Sequence, residues 1–225
     1  MTLVAPFPYY GGKSTVTGVV WAALGDPVHY VEPFFGSGAV LLGRPVSARH
    51  RPREVVNDLD GHIVNFWRSI AWHPDRVSVA ADWPITELDL HARNDRLAEV
   101  KDDMRERLRS DPSACDPELA GWWVWAMAAL LMPKEAGVVS RSRPRVNSRQ
   151  GVVSQGVEFG PLADRLRDVA VLCGDWSRVL TDGAVGFTMG DSPIGVFLDP
   201  PYEPGERRTG LYVTESGSVA GEVLE

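Results

Sequence analysis

Short apolar runs occur near both ends of the chain, and each is followed by turn-forming or acidic residues. Runs of this kind are typical of strands that are buried in a parallel sheet. The predicted strands are residues 29–33, 54–58, 169–173 and 195–199. Because stretches with helical spacing separate them, the pattern predicts an α/β fold with a parallel sheet.

Apolar residues at helical spacing fill the intervals between the strands. Residues 13–24 predict a short helix that is closed by Gly25, and Ala39 begins a second helix. Thr86 is placed to cap a long charged helix, and Asp60 to cap an earlier one. The other predicted helices are a segment containing Ile63, Phe66, Trp67 and Ile70, a segment over about 117–132, and one that begins at Pro161.

The helical middle of the chain reads as an insertion into the sheet core. We predict that residues 1–72 and 160–225 form the core and that residues 73–159 form the insertion. Residues 133–160 are rich in Gly, Ser, Arg and Pro, which predicts a loop. A cluster of tryptophans precedes this loop, and we interpret it as core rather than as a platform for base stacking: Trp122, Trp123 and Trp125.

Length and composition fit one compact domain or a core with an inserted subdomain. The chain has 225 residues, of which 44% are hydrophobic, enough for a sizeable core. Its two cysteines, Cys115 and Cys173, make neither a disulfide framework nor a metal set. No apolar run approaches the roughly 20 residues of a membrane span, and no signal-peptide pattern opens the chain. We therefore predict a cytoplasmic protein without a metal.

The net charge of −7 does not indicate nucleic-acid binding, so a nucleic-acid enzyme of this composition needs a local basic patch. Four arginines without an acidic neighbour fall within residues 141–149, and two amides that can read base edges accompany them. For any single arginine, a solvated flexible loop is an equal alternative. The residues are Arg141, Arg143, Arg145, Asn147, Arg149 and Gln150.

A glycine turn follows the first predicted strand, in the sequence VEPFFGSGA of residues 31–39. Such a turn lets a ligand approach bare backbone N–H groups at the carboxyl edge of a sheet. A G-x-G alone is weak evidence, and a tight turn without a ligand is an even alternative. The second strand ends in Asn57-Asp58, where α/β nucleotide sites place a carboxylate that accepts ribose hydroxyls. Asp58 is the better candidate for that role.

The last predicted strand leads directly into Asp199-Pro200-Pro201-Tyr202. Two prolines fix the backbone and remove N–H donors, so carbonyl oxygens, one carboxylate and one aromatic ring remain. This set suits a planar base with an amino group, because the oxygens accept its two N–H bonds and the ring stacks on its face. A proline-terminated strand with an incidental aspartate is the alternative.

An early segment, residues 8–14, contains Gly-Lys-Ser and invites a phosphate-loop interpretation. The full pattern requires a glycine where Phe7 stands and a strand before the loop, so we reject it. The cation of Lys13, near a helix start and beside an aromatic residue, remains suited to a ligand that bears a carboxylate.

These four motifs, in their order along the chain, resemble those of the adenine-specific DNA methylases of the Dam class. The resemblance covers about residues 1–72 and 160–212. It is only positional between them, where the family carries a target-recognition region. A weaker match, Gly174-Asp175-Trp176, lies where the family places an acid near the cofactor's adenine. The resemblance implies a Rossmann-like sheet of the class I methyltransferase type with an inserted helical target-recognition region.

The resemblance also implies a site-specific enzyme that transfers a methyl group from S-adenosylmethionine to the N6 amino group of a flipped-out adenine in double-stranded DNA. Methylation of cytosine or RNA amino groups and a catalytically inactive nucleic-acid-binding module are the alternatives. The implied catalytic residues are Asp199, Pro200 and Tyr202. The implied cofactor contacts are Tyr9, Lys13, Phe34, Gly36, Asp58, Asp175 and Asp199.

The family continues with further strands and helices beyond the catalytic tetrapeptide, whereas this chain ends soon after it, at Glu225. We therefore expect a core that is shortened at its carboxyl end and whose turnover is in doubt. We further expect a monomer.

Overall fold

A computed structural model describes residues 3–7, 13–45, 53–130, 158–181 and 194–200. The strands are β1 (His29–Glu32), β2 (Arg53–Asp58), β3 (Val169–Cys173) and β4 (Ile194–Val196). The α-helices are α1 (Thr17–Leu24), α2 (Ala39–Leu42), α3 (Gly61–Trp72), α4 (Pro74–Ala81), α5 (Glu87–Ser110), α6 (Pro117–Leu130) and α7 (Phe159–Leu166). Short 3-10 turns cover Lys13–Thr15 and Trp176–Val179.

The four strands form one parallel sheet in the order β3-β2-β1-β4, which confirms the predicted α/β fold. Val31 of β1 is in register with Val55 of β2 and with Val196 of β4. β4 ends earlier than predicted, although the N–H of Phe197 still donates to the Val31 carbonyl over 3.0 Å. The prolines that follow Asp199 lack N–H groups, so the sheet ladder cannot extend through them.

The strand order creates a crevice at the carboxyl edge of the sheet. From β1 the order runs outward through β2 to β3, and β4 then lies on the opposite side of β1. In open α/β sheets, ligands bind outside the carboxyl ends of strands at such a reversal. The ends of β1 and β4 are therefore the place to look for a site.

Local signals in the sequence explain where the helices begin and end. The Asp60 carboxylate accepts a hydrogen bond from the His62 N–H at the start of α3, as predicted. Thr86 Oγ1 accepts one from the Asp89 N–H at the start of α5. Gly25 closes α1 at a φ of 71°, in the left-handed region that favours glycine. Helix α4 was not predicted; Pro74 begins it, at a position where proline is tolerated.

The core joins the sheet to the helical region through aromatic side chains. Phe7 packs edge-on against Phe66 and Trp123, with ring centroids 5.3 and 4.8 Å away. Trp123 and Trp125 are buried, as predicted, while Trp122 is half-buried and packs against the same core. The tryptophan cluster therefore contributes mainly to packing.

Two polar side chains of α3 tie this core to the connection between α5 and α6. The buried Arg68 guanidinium donates from Nε to the Val171 carbonyl of β3 over 3.0 Å. Its Nη1 donates to the carbonyls of Leu108 and Asp111 over 2.9 and 3.0 Å. Asn65 exchanges hydrogen bonds with the backbone N–H and carbonyl of Asp116.

Of the helices that the structure describes, none is long and apolar enough to cross a membrane.

Candidate functional site

The carboxyl edge of the sheet brings together several residues that the sequence singled out. Lys13 leads into α1, Phe34 and Gly36 follow β1, Asp58 ends β2, and Asp199 follows β4. Contacts among them link the ends of three strands into one crevice, as the distances below show.

Lys13 joins the first and fourth strand ends. Its side chain is only 7% exposed. Nζ donates to the Phe34 carbonyl over 2.7 Å and lies 3.1 Å from Oδ2 of Asp199. It also lies 5.7 Å from the ring centroid of Phe197, within the range of a cation–π contact. One cation therefore fixes the Asp199 carboxylate beside the turn that follows β1.

Glu32 lies beneath this ion pair, and sequence reasoning did not single it out. It is fully buried at the end of β1, and its Oε2 accepts a hydrogen bond from the Tyr30 hydroxyl over 2.9 Å. Its other oxygen, Oε1, has no hydrogen-bond donor within the described part of the chain. Burial raises the pKa of Glu32 to about 7; Lys13 opposes this rise and Asp199 adds to it. The sequence signal that could have identified Glu32 is an acidic residue within an otherwise apolar strand.

The turn after β1 depends on its glycines. Gly36 and Gly38 have φ values of 53° and 68°, which favour glycine. A Cβ on Gly38 would lie 2.9 Å from ring atoms of Phe35 and of Trp67, too close to be accommodated without displacement. The Trp67 indole N–H donates to the Gly36 carbonyl over 2.9 Å, so the turn is also fixed from the core side.

Asp58 holds the same turn with its carboxylate. Oδ2 accepts from the Gly36 N–H over 2.8 Å, and Oδ1 accepts from the Asp60 N–H over 2.9 Å. Burial raises the pKa of this half-buried carboxyl to about 6. Each carboxylate oxygen has a second lone pair, so the group still has acceptor capacity for ligand hydroxyls. The predicted contact with ribose remains a prediction.

Two half-buried aromatic rings face each other beside this turn. The rings of Phe34 and Trp176 are 6.4 Å apart between centroids, with an interplanar angle of 29°. Asp175, directly before Trp176, is exposed, and its Oδ1 accepts from the Ser177 N–H over 3.0 Å. Phe34 and the Asp175 segment are thus neighbours, which the sequence alone did not place together.

Several predicted site residues cannot be placed. Pro200 is half-buried directly after Asp199. The remaining predicted catalytic, cofactor and DNA contacts lie outside the described residues: Tyr9, Tyr202, Arg141, Arg143, Arg145, Asn147, Arg149 and Gln150. Within the described ranges, no cluster of His, Cys, Asp or Glu side chains is arranged to hold a metal ion.

Comparison with known protein families gives a match over part of the chain. Residues 9–103 match the model of the D12 class N6 adenine-specific DNA methyltransferase family. This range contains the Lys13 turn, the glycine turn and Asp58, and it ends before β3 and Asp199. The match supports an adenine methyltransferase that uses S-adenosylmethionine, and the parallel sheet is consistent with a Rossmann-like methyltransferase fold. No curated protein matches the chain.

Proposed function

We propose that this protein is a site-specific DNA methyltransferase of the Dam type, which methylates the N6 amino group of a flipped-out adenine. The observation that carries the proposal is the position of Lys13 Nζ, between the Phe34 carbonyl and the Asp199 carboxylate. That contact brings Asp199 and the glycine turn to one crevice. The two reacting groups of a methyl transfer need such proximity.

The residues of the crevice fit S-adenosylmethionine. The glycine turn leaves backbone close to the crevice, the Phe34 and Trp176 rings offer aromatic faces, and Asp58 retains acceptor capacity. Glu32 Oε1 is a buried acceptor with no donor among the residues that are placed, which suits a cationic ligand. When it is bound, S-adenosylmethionine supplies an electrophilic methyl group. Lys13, Phe34, Gly36, Asp58 and Asp175 are the residues that we assign to holding it, with Tyr9.

The chain's own residues would hold and orient the target amine. Lys13 engages Oδ2 of Asp199, and we assign Oδ1 as the acceptor of one amino hydrogen. The Pro200 carbonyl is the second acceptor that we assign. Two accepted N–H bonds direct the nitrogen lone pair away from the protein oxygens and toward the donor side of the crevice. The gain in rate comes mainly from fixed dipoles and positioning.

An adenine within a duplex cannot reach Asp199, so the base must leave the stack. We assign stacking on the flipped base to Tyr202 and phosphate contacts to Arg141, Arg143, Arg145 and Arg149, with base reading by Asn147. Replacing the four arginines is expected to weaken DNA binding and to reduce its dependence on salt, because fewer counterions are released. Unchanged affinity in a salt titration would remove the arginines from the interface. The proposal includes a cytoplasmic monomer.

Transfer of radiolabelled methyl groups to double-stranded DNA, followed by nucleoside analysis, tests the proposal. We expect label in N6-methyladenine with the wild type and none with Asp199→Ala. Asp164→Ala is the matched control, because Asp164 is an exposed carboxylate that pairs with Arg167 on the surface. Label in cytosine or RNA would replace the proposed substrate, and DNA binding without label would identify an inactive binding module. Near-normal turnover of Asp199→Ala would refute the catalytic assignment.

A further inference from the structure

Asn57, which the sequence analysis named only together with Asp58, lies at the carboxyl end of β2. It is the penultimate residue of β2 and is 1% exposed. Its Nδ2 donates to the Pro33 carbonyl over 3.1 Å and to the Gly174 carbonyl over 2.9 Å. Pro33 follows β1 and Gly174 follows β3, so one amide links the turns on both sides of its own strand.

Backbone hydrogen bonds reinforce the same junction. The Phe35 N–H donates to the Asn57 carbonyl over 2.9 Å, and the Gly174 N–H donates to the Asp58 carbonyl over 3.0 Å. These bonds set the distance of each turn from β2. The two side-chain bonds of Asn57 then fix the orientation of the Pro33 and Gly174 peptide groups.

Only an amide suits this position. Both hydrogens of Nδ2 are used by carbonyl oxygens, so an aspartate at this position would bring a carboxylate against two acceptors. An apolar side chain would leave two carbonyls in the buried junction without their donor, which is costly. Oδ1 of Asn57 has no donor within the described residues, so the donor side of the amide makes the contacts.

The two peptide groups that Asn57 holds are next to the facing aromatic rings. The Pro33 carbonyl belongs to the peptide that leads into Phe34, and the Gly174 carbonyl lies two residues before Trp176. The 6.4 Å separation of these rings therefore depends on the junction at Asn57. A planar group between two ring faces needs about 3.5 Å or more on each side, roughly 7 Å in all, so these rings must separate slightly when such a group enters.

We propose that Asn57 is a positioning residue that sets the spacing of the Phe34 and Trp176 turns for the methyl donor. This inference rests on the proposed function. Asn57 acts on donor binding and not on the target amine, since its contacts lie on the β1–β3 side and Asp199 lies on the β4 side of β1. Loss of Asn57 therefore weakens donor affinity and leaves DNA affinity unchanged.

The test compares Asn57→Ala with Asn65→Ala in the full chain. Asn65 is a matched control because it is equally buried and also makes two hydrogen bonds to backbone, but at the α5–α6 connection. Calorimetry measures binding of S-adenosylhomocysteine, and thermal unfolding measures stability. We expect both variants to lower the unfolding midpoint similarly. We expect Asn57→Ala to raise the dissociation constant for S-adenosylhomocysteine by about tenfold or more, the equivalent of one lost buried hydrogen bond. Asn65→Ala should raise it by less than about twofold.

The outcomes separate the two proposals. If the wild type binds and Asn57→Ala binds as tightly as Asn65→Ala, the positioning role is wrong while the proposed function stands. If the wild type does not bind S-adenosylhomocysteine, the proposed function itself fails. If Asn57→Ala does not fold, Asn57→Ser, which keeps one short donor, takes its place. Asn57→Ser must then show weaker donor binding at unchanged DNA affinity, and wild-type donor affinity in it overturns the role.

Discussion

The two edges of the parallel sheet both carry buried charge, but they differ in how completely that charge is paired. At the amino edge, Glu54 is 3% exposed and both of its oxygens are paired. Arg44 Nη1 lies 3.0 Å from Oε1, and Arg165 contacts both oxygens over 2.5 and 2.8 Å. The arginines also donate to the carbonyls of Pro27 and Leu41.

At the carboxyl edge, the pairing is incomplete. Lys13 meets Asp199 at 3.1 Å, and the aspartate side chain remains 31% exposed. Oε1 of Glu32, close by, finds no donor within the ranges that the structure describes. The comparison teaches that a buried acid whose charge is fully paired with cations stabilises a junction, whereas an edge with a buried oxygen that lacks a donor retains capacity to bind a ligand.

Removing the shared carboxylate at the amino edge is expected to have the largest effect, a loss of stability. Glu54→Ala leaves the buried Arg44 side chain and the half-buried Arg165 without their shared counter-charge, and among the described residues the acid that remains near Arg44 is Asp26, at 3.8 Å. Removing one partner of a buried ion pair costs about 3–5 kcal/mol of unfolding free energy. Urea unfolding measures this loss, and Asp164→Ala, at an exposed pair, should lose less than about 0.5 kcal/mol. A loss below about 1 kcal/mol for Glu54→Ala would show that the amino edge is not a stabilising junction.

Removing the cation at the carboxyl edge should affect activity more than stability. Lys13→Met keeps a long unbranched side chain but removes the donor to the Phe34 carbonyl and the ion pair with Asp199. We expect the rate of methyl transfer to fall by about 10²–10³-fold, as for loss of one preorganised donor. The loss of unfolding free energy should be smaller than for Glu54→Ala. Rates and urea curves measured on the same sample decide this, and unchanged turnover would exclude Lys13 from the site.

The smallest effect is expected from the protonation of Glu32. Its pKa is raised from 4.5 to about 7 in the folded protein, so the folded state binds the proton more tightly than the unfolded state. Its contribution to stability is complete below about pH 4.5 and is lost as the pH rises through about 7, by up to about 3 kcal/mol. Glu32→Gln should therefore gain stability relative to the wild type as the pH rises.

Urea unfolding of both proteins over this pH range measures the difference. Burial also raises the pKa of Asp58 and lowers that of His62, and these groups act in opposite directions. Both are present in the two proteins, so their effects largely cancel in the difference. Parallel stability curves for the wild type and Glu32→Gln would show that the folded state does not raise the pKa of Glu32.

Much of the fold was predictable because its signals are local. The strand at residues 169–173, the Asp60 and Thr86 caps and the Gly25 stop are each set by a few neighbouring residues, and the structure confirms them. The order of the strands was not predictable, since it depends on how distant segments pair. Helix α4 was missed because its exposed face is mixed and its first turn follows closely on α3.

The site was predictable only in part for the same physical reason. Motif resemblance indicated Lys13 and Asp199, but not that one would hold the other across the sheet. The bond between Asn57 and Gly174 joins residues 117 positions apart, and no periodicity reports such a contact. Glu32 was visible only as an acid within an apolar run, which does not indicate whether it is exposed or buried.

The arginine on α3 limits how freely the middle of this chain can be exchanged. Arg68 donates simultaneously to an edge strand of the sheet and to the end of the long α5 helix, and its guanidinium is buried. A chimera that replaces the residues between α3 and β3 with those of another protein would leave Nη1 of Arg68 without the Leu108 and Asp111 carbonyls, unless the graft restores equivalent acceptors. The helical region and the sheet thus share one buried contact, and any exchange of the helical region must preserve it.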